Sequence, residues 1–256
     1  MQIDETTSSD GRCVANVIIG ILTSYESRKS FLVNCVDLEG KFNHQKICGV
    51  IDDAIKMIWH DNFDKEKLLL FITDGASYMK TAGKCLKAFY PKVIHVTCMA
   101  HLVNRLAAFI RMEDVLTDKF IAKNKKIFTK SRSRIEKFKE FAPEISLPLK
   151  PVITRWSTWL DAAFYCAKNY DKIAQVVNSF DSSEALCIGK VQKLLTQQNL
   201  KNELSYLKAN FGVLTKIQAA IQRNDLLMSD AFDLIDNLKV KCKMSKVLLD
   251  KDLMTN

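Results

Sequence analysis

None of the eight cysteines forms a Cys-x-x-Cys pair, which removes zinc fingers built on such pairs. No apolar run approaches the roughly 20 residues that span a bilayer, so no membrane partner is expected. The opening Met-Gln-Ile-Asp-Glu is polar and carries no apolar region of the kind a secretion signal needs. Scattered thiols without such a signal fit a reducing compartment, the cytosol or nucleus. There is no internal repeat and no low-complexity tract. Proline is scarce, and Pro143, Pro148 and Pro151 stand together in PEISLPLKP, which reads as an extended connector. Acidic residues are missing from one stretch in particular. Between Lys119 and Lys139 the only acid is Glu136, against Lys119, Lys123, Lys125, Lys126, Lys130, Arg132, Arg134, Lys137 and Lys139.

What is present describes a globular protein. Of 256 residues, 48% are apolar and 26% charged, an ordinary balance that can bury a sizeable core. The formal net charge is +9, which favours a polyanionic partner, nucleic acid first. A basic protein that is merely soluble is the competing reading of the charge.

The first hundred residues alternate between strand and helix patterns. A first strand ending at Asp4 looks cut short, because three residues precede it. Val14–Leu22 (VANVIIGIL) and Phe31–Val36 are short, β-branched runs separated by turn signals, which predicts an antiparallel meander. From Asn43 to His60, Ile47, Val50, Ile51, Ala54, Ile55 and Ile58 recur at helical spacing. Lys67–Thr73 (KLLLFIT) reads as a strand buried on both faces, Ala76–Tyr90 as a helix stopped by Pro91, Val93–Thr97 as another buried strand and Met99–Ile110 as a helix. A meander followed by strands alternating with helices predicts an α/β domain with a mixed sheet and flanking helices. After about residue 111 the pattern is helical throughout, over Leu116–Phe141, Trp156–Phe180 and Ser183–Leu249. The expected organisation is a core over 1–111, a basic helical segment and connector over 112–153, and a helical region over 154–256.

Asp4 and Asp74 each close an apolar strand in this reading. If those strands are neighbours, the two carboxylates face one another and repel unless a cation sits between them. Mg²⁺ accepts a few carboxylates plus water and phosphate oxygens, and a pair of such ions aligns an attacking hydroxyl and a leaving oxygen. The plainer alternative makes Asp4 a surface residue and Asp74 a helix cap.

Four stretches carry a resemblance: DETTSSDGR (Asp4–Arg12), ITDGASYM (Ile72–Met79), HVTCMAH (His95–His101) and TRWSTWLDAA (Thr154–Ala163). In this order they resemble hAT-family DNA transposases, in particular truncated or domesticated relatives, over about residues 1–215. The resemblance implies a ribonuclease H-like fold followed by a helical insertion region. It also implies a three-carboxylate site for Mg²⁺ or Mn²⁺, with Asp4 and Asp74 as the first two. The third, a glutamate, lies well downstream in the family, and the chain is expected to end inside the insertion before it. Neither Glu184 nor Glu203 is promoted to that place. Cys98 and His101 match the family's CxxH motif and would support the metal site or a phosphate; two ligands are short of the usual four, so no zinc is expected. Arg155 and Trp156 match its RW motif. There Trp156 would stack on a flipped base, worth roughly 1–3 kcal/mol, with Arg155 on a phosphate; the alternative is a core tryptophan.

The basic stretch is a second candidate DNA contact, with Lys123, Lys125, Lys126, Lys130, Arg132 and Arg134 on phosphates and Phe120, Phe128 and Phe138 turned to the core. The competing reading is a solvated helix face. The leading expectation is a nuclear, DNA-binding remnant of a transposase, not catalytically active as this chain, with self-association through a C-terminal region outside it. A fragment of an active transposase and a domesticated regulatory or protein-interaction module are the alternatives.

Overall fold

Small and β-branched residues at alternate positions make the first three elements strands. In the computed structural model, β1 (Gln2–Thr7), β2 (Cys13–Gly20) and β3 (Ser30–Asp37) form an antiparallel meander. Gly11 takes φ 83° in the β1–β2 turn, a left-handed conformation that glycine adopts without steric cost. There the Ser8 amide donates to Arg12 O at 2.8 Å and the Gly11 amide to Ser8 O at 3.0 Å. The structure describes residues 1–8, 10–22, 29–38, 43–60, 63–129, 131–152, 157–223 and 225–244. The chain divides into two compact units, Met1–Leu102 and Val103–Asn256.

The first unit continues with α1 (His44–Trp59), β4 (Leu70–Thr73), α2 (Ser77–Phe89) and β5 (Ile94–Thr97). Asn43 starts α1 by accepting the Lys46 amide at 2.9 Å, satisfying one of the donors a helix start leaves open. The sheet order is β3-β2-β1-β4-β5, with β1–β4 and β4–β5 parallel. The unit is therefore α/β with a five-stranded mixed sheet, as the element order predicts. Ile3, Ala15, Val17 and Phe71 face Ile47, Ile51 and Ala54 of α1 and Met79, Ala82 and Leu86 of α2 in one core. Gly83 lets α2 lie against β5: a Cβ there would stand 2.5 Å from His95 Cγ.

Three expectations about the strands are corrected. β1 does not end at Asp4 but runs on to Thr7, because Glu5, Thr6 and Thr7 pair with Ala15, Val14 and Cys13. Asp4 is thus a mid-strand residue. β4 is not buried on both faces: Phe71 and Thr73 are buried, while Leu70 and Ile72 on the other face are partly exposed. β5 is an exposed edge strand, with Ile94 62% accessible. The apolar run is continuous, yet α1 and α2 pack on one sheet face only, so burial follows the pleat.

α3 (Met99–Glu113) spans the division in the chain, and α4 (Val115–Phe128), α5 (Arg132–Phe141), α6 (Ser157–Lys168), α7 (Tyr170–Asn178), α8 (Leu186–Leu195), α9 (Gln198–Ile221) and α10 (Met228–Met244) follow. No strand lies beyond Thr97 among the described residues. Leu200, Leu204, Leu207, Phe211, Leu214 and Ile217 give α9 one buried stripe, and α9 packs on α6. The long helices expected here are interrupted. α4 ends at Thr129, whose backbone turns extended (φ −72°, ψ 123°), and Ser131 is the N-cap of α5. Trp159 is buried, its indole N–H donating to Asp118 at 2.9 Å. No described helix is long and apolar enough to cross a membrane.

Candidate functional site

The pairing of β1 with β4 sets the geometry. Gln2 stands opposite Ile72 in the parallel ladder. Two residues further along each chain come Asp4 and Asp74, so the pleat sends both to the same sheet face. That face is opposite Ile3 and the core. Asn16, cross-strand from Asp4, donates to Asp4 O at 3.4 Å and to Thr6 Oγ1 at 3.0 Å.

Asp4 is half-buried, and burial raises its carboxyl pKa; the nearby Asp74 charge adds to this, while His101 works against it. His101 Nε2 lies 3.6 Å from Asp4 Oδ1, an ion-pair distance rather than a hydrogen bond. Asp74 accepts the Ala76 amide at 2.9 Å, an Asx turn at the entry to α2. The N-cap of α2 is Ala76 itself, so Asp74 sits ahead of the cap position.

Cys98 and His101 share the first turn of α3 with its approach. His101 is raised above its ordinary pKa first by the Cys98 hydrogen bond and also by the Asp4 and Asp74 charges, against burial. For Cys98, burial pushes the thiol up, but the hydrogen bond and charge of His101 with two backbone amides outweigh it, and the net shift is downward.

Two neighbours lie within the quoted stretches but carry no role in the sequence reading. Glu5, next to Asp4 in sequence, accepts the Tyr78 hydroxyl at 2.8 Å. Its Oε1 is enclosed without a partner, and burial raises its pKa, followed by the Asp74 and Asp4 charges acting against the Tyr78 bond. Tyr78 is pushed up in turn by burial and by Glu5. The signal was in the sequence: strand alternation separates Glu5 from Asp4, and Tyr78 lies within ITDGASYM. Behind β4, Thr73 Oγ1 donates to Asp74 O at 2.8 Å and lies 2.8 Å from His95 Nε2.

Two carboxylates on one sheet face, with the Asp74 charge helping to raise the Asp4 pKa, suit a divalent cation, and Mg²⁺ commonly takes only one or two protein carboxylates beside water and phosphate. No described group of three or more His, Cys, Asp or Glu side chains is arranged to hold a metal ion. Asp4 and Asp74 offer two carboxylates on one sheet face.

The basic stretch does not form one face. Lys119 and Lys126 of α4 are exposed and Lys123 and Lys125 partly so; Phe120, Phe128 and Phe138 are buried. Lys137 is taken inward, donating to Ser179 O at 2.8 Å and lying 5.1 Å from the Phe180 ring centre. Arg132 bridges to Glu136 at 2.8 Å while remaining exposed, and Arg134 donates to Ser131 Oγ at 2.7 Å. Arg155, Trp156 and Lys130 lie outside the described residues. No protein-family model matches the chain and no curated protein matches it.

Proposed function

We propose that this chain is a transposase-derived, nuclear DNA-binding protein of the hAT type, with a ribonuclease H-like first unit. The observation that carries the reading is the placement of Asp4 in β1 and Asp74 just past the end of the adjacent parallel strand β4, each two residues beyond the Gln2–Ile72 pair. The sheet order, three antiparallel strands and then two parallel ones joined through α2, supports it. So does the run of cations along α4 and α5 in a chain of net charge +9.

Asp4 and Asp74 would hold a Mg²⁺ or Mn²⁺ ion in competition with the protonated form of His101 beside Asp4. Such an ion, when bound, supplies Lewis acidity to phosphate oxygens and to an attacking hydroxyl. Two carboxylates provide part of the family's implied three-carboxylate site, so the chain is read as binding DNA without cutting it. The test is titration of the purified chain with labelled duplex DNA at two salt concentrations. Binding that weakens steeply with salt is expected; no measurable binding at low salt would sink the proposal.

A further inference from the structure

The second unit holds a cleft of about 520 Å³ where the end of α3 and the start of α4 meet α9. That volume lies in the range of ligand-binding clefts. Ile110, Leu116, Leu207 and Phe211 give it apolar walls, and its polar lining is Glu113, Asp114, Asn202 and Glu203. Three acids and no lysine or arginine line it, although lysine and arginine outnumber acids 38 to 29 in the chain. The apolar surface also continues past the cleft. Met112 is 74% exposed and Val115 53%, and Tyr206 at the rim is 41% exposed with its ring edge-on to Phe211.

We propose that this cleft docks a basic amphipathic peptide segment of a partner protein, with one lysine or arginine seated between Asp114 and Glu203. Charge complementarity selects the occupant. Asp114 is anchored as the N-cap of α4, accepting the Thr117 amide at 3.0 Å. Glu203 Oε2 is enclosed, with no donor within reach. Burial, and after it the neighbouring Asp114 carboxyl, raise the Glu203 pKa, so the site favours a compensating positive charge. An ammonium or guanidinium group supplies that charge with several donors directed at both carboxylates. The exposed Val115 and Tyr206 of the lining, with Met112 next to Glu113 on α3, give a segment contacts that a small free amine cannot make, as when an amphipathic helix lies in a groove.

The experiment uses the full chain and a fluorescently labelled amphipathic helical peptide of leucine, alanine and glutamine with one central lysine. The same peptide with norleucine in place of lysine is the control, and n-butylamine is the competitor. The lysine peptide should bind saturably, and the norleucine peptide about tenfold more weakly, the worth of one charge-assisted hydrogen bond. Glu203→Gln should abolish the difference between the two peptides, whereas Tyr206→Ala should weaken both alike. Equal binding of both peptides to the unaltered chain would overturn the proposal, and so would a lysine preference that survives Glu203→Gln. Displacement of the lysine peptide by n-butylamine at equal concentration would mark a site for small cations and overturn it as well. The peptide comparison stands even if a variant fails to fold.

Discussion

Lys119, Lys123 and Lys126 fall within about 60° of one another around α4 at 3.6 residues per turn. Thr117, Ile121, Asn124 and Phe128 are buried on the other side of the helix. The three lysines therefore form one stripe that a phosphate backbone can follow, whereas Lys125 lies on the opposite flank. Each lysine that neutralises a phosphate releases condensed counterions and contributes about 0.9 to the slope of log affinity against log salt. Three such contacts contribute about 2.7, which between roughly 50 and 200 mM salt amounts to about a 40-fold change in affinity. Replacing all three by glutamine should shallow the slope by that amount, read by fluorescence anisotropy on a labelled duplex across a salt series. Lys137→Gln is the matched control. Its ammonium is already engaged by Ser179 O and the Phe180 ring, so the slope should hold while stability falls. An unchanged slope in the triple variant would refute the assignment of α4 as the DNA-facing helix, and a slope change in Lys137→Gln would refute the geometric distinction between the two sets.

Three further outcomes follow from the first unit. Gly83→Ala places a Cβ at 2.5–2.9 Å from His95 Cγ, Nδ1 and Cβ; overpacking of about 1–3 kcal/mol should exceed the gain in helix propensity of about 1 kcal/mol, and an unchanged urea midpoint would contradict this. Burial and Lys80 lower the His95 pKa, so its contribution to stability is complete above the ordinary histidine value near 6.5 and is lost as pH falls through the folded value; His95→Gln should remove that part of the acid dependence in thermal melts. Asp4 has a raised pKa, so its contribution is present below its unfolded value and is lost as pH rises through the folded one. Asp4→Asn should therefore raise the melting temperature at neutral pH without metal and abolish the rise produced by Mn²⁺ in the unaltered chain; a Mn²⁺ shift that persists in the variant would remove Asp4 from the cation site.

The architecture of the first unit is readable because each strand is bounded by turn residues and each helix carries a single apolar stripe. VANVIIG and Ile47-Val50-Ile51-Ala54-Ile55 need no tertiary information to be recognised as strand and helix. Which faces those strands bury is not readable in the same way. LLLFIT and VIHVT are apolar at successive positions, and periodicity cannot tell a strand covered on both sides from one covered on one side. The break between α4 and α5 was also hidden, because no proline or glycine marks the extended backbone that Thr129 takes after α4. Long-range partners such as Asp118 with the Trp159 indole and Gly83 with the His95 ring join positions far apart in the chain. No local pattern encodes those contacts; the buried donor and the crowded Cβ position become apparent only when the elements pack.

The Asp4–Glu5 dipeptide shows how the fold sorts chemistry that sequence presents as one acidic pair. The pleat sends adjacent side chains to opposite faces. Glu5 goes to the helix side, where Tyr78 donates to it and burial raises its pKa. Asp4 goes to the other side, where the register with β4 makes Asp74 its counterpart and His101 lies 3.6 Å away. Only Asp4 is therefore available to share a cation with Asp74, although both acids feel the Asp74 charge. His101 and a metal ion would relieve the same repulsion at Asp4, so protonation of the imidazole and occupation of the half-site oppose each other. The two-carboxylate arrangement is thus a consequence of strand alternation and register rather than of acidic residues clustering in sequence.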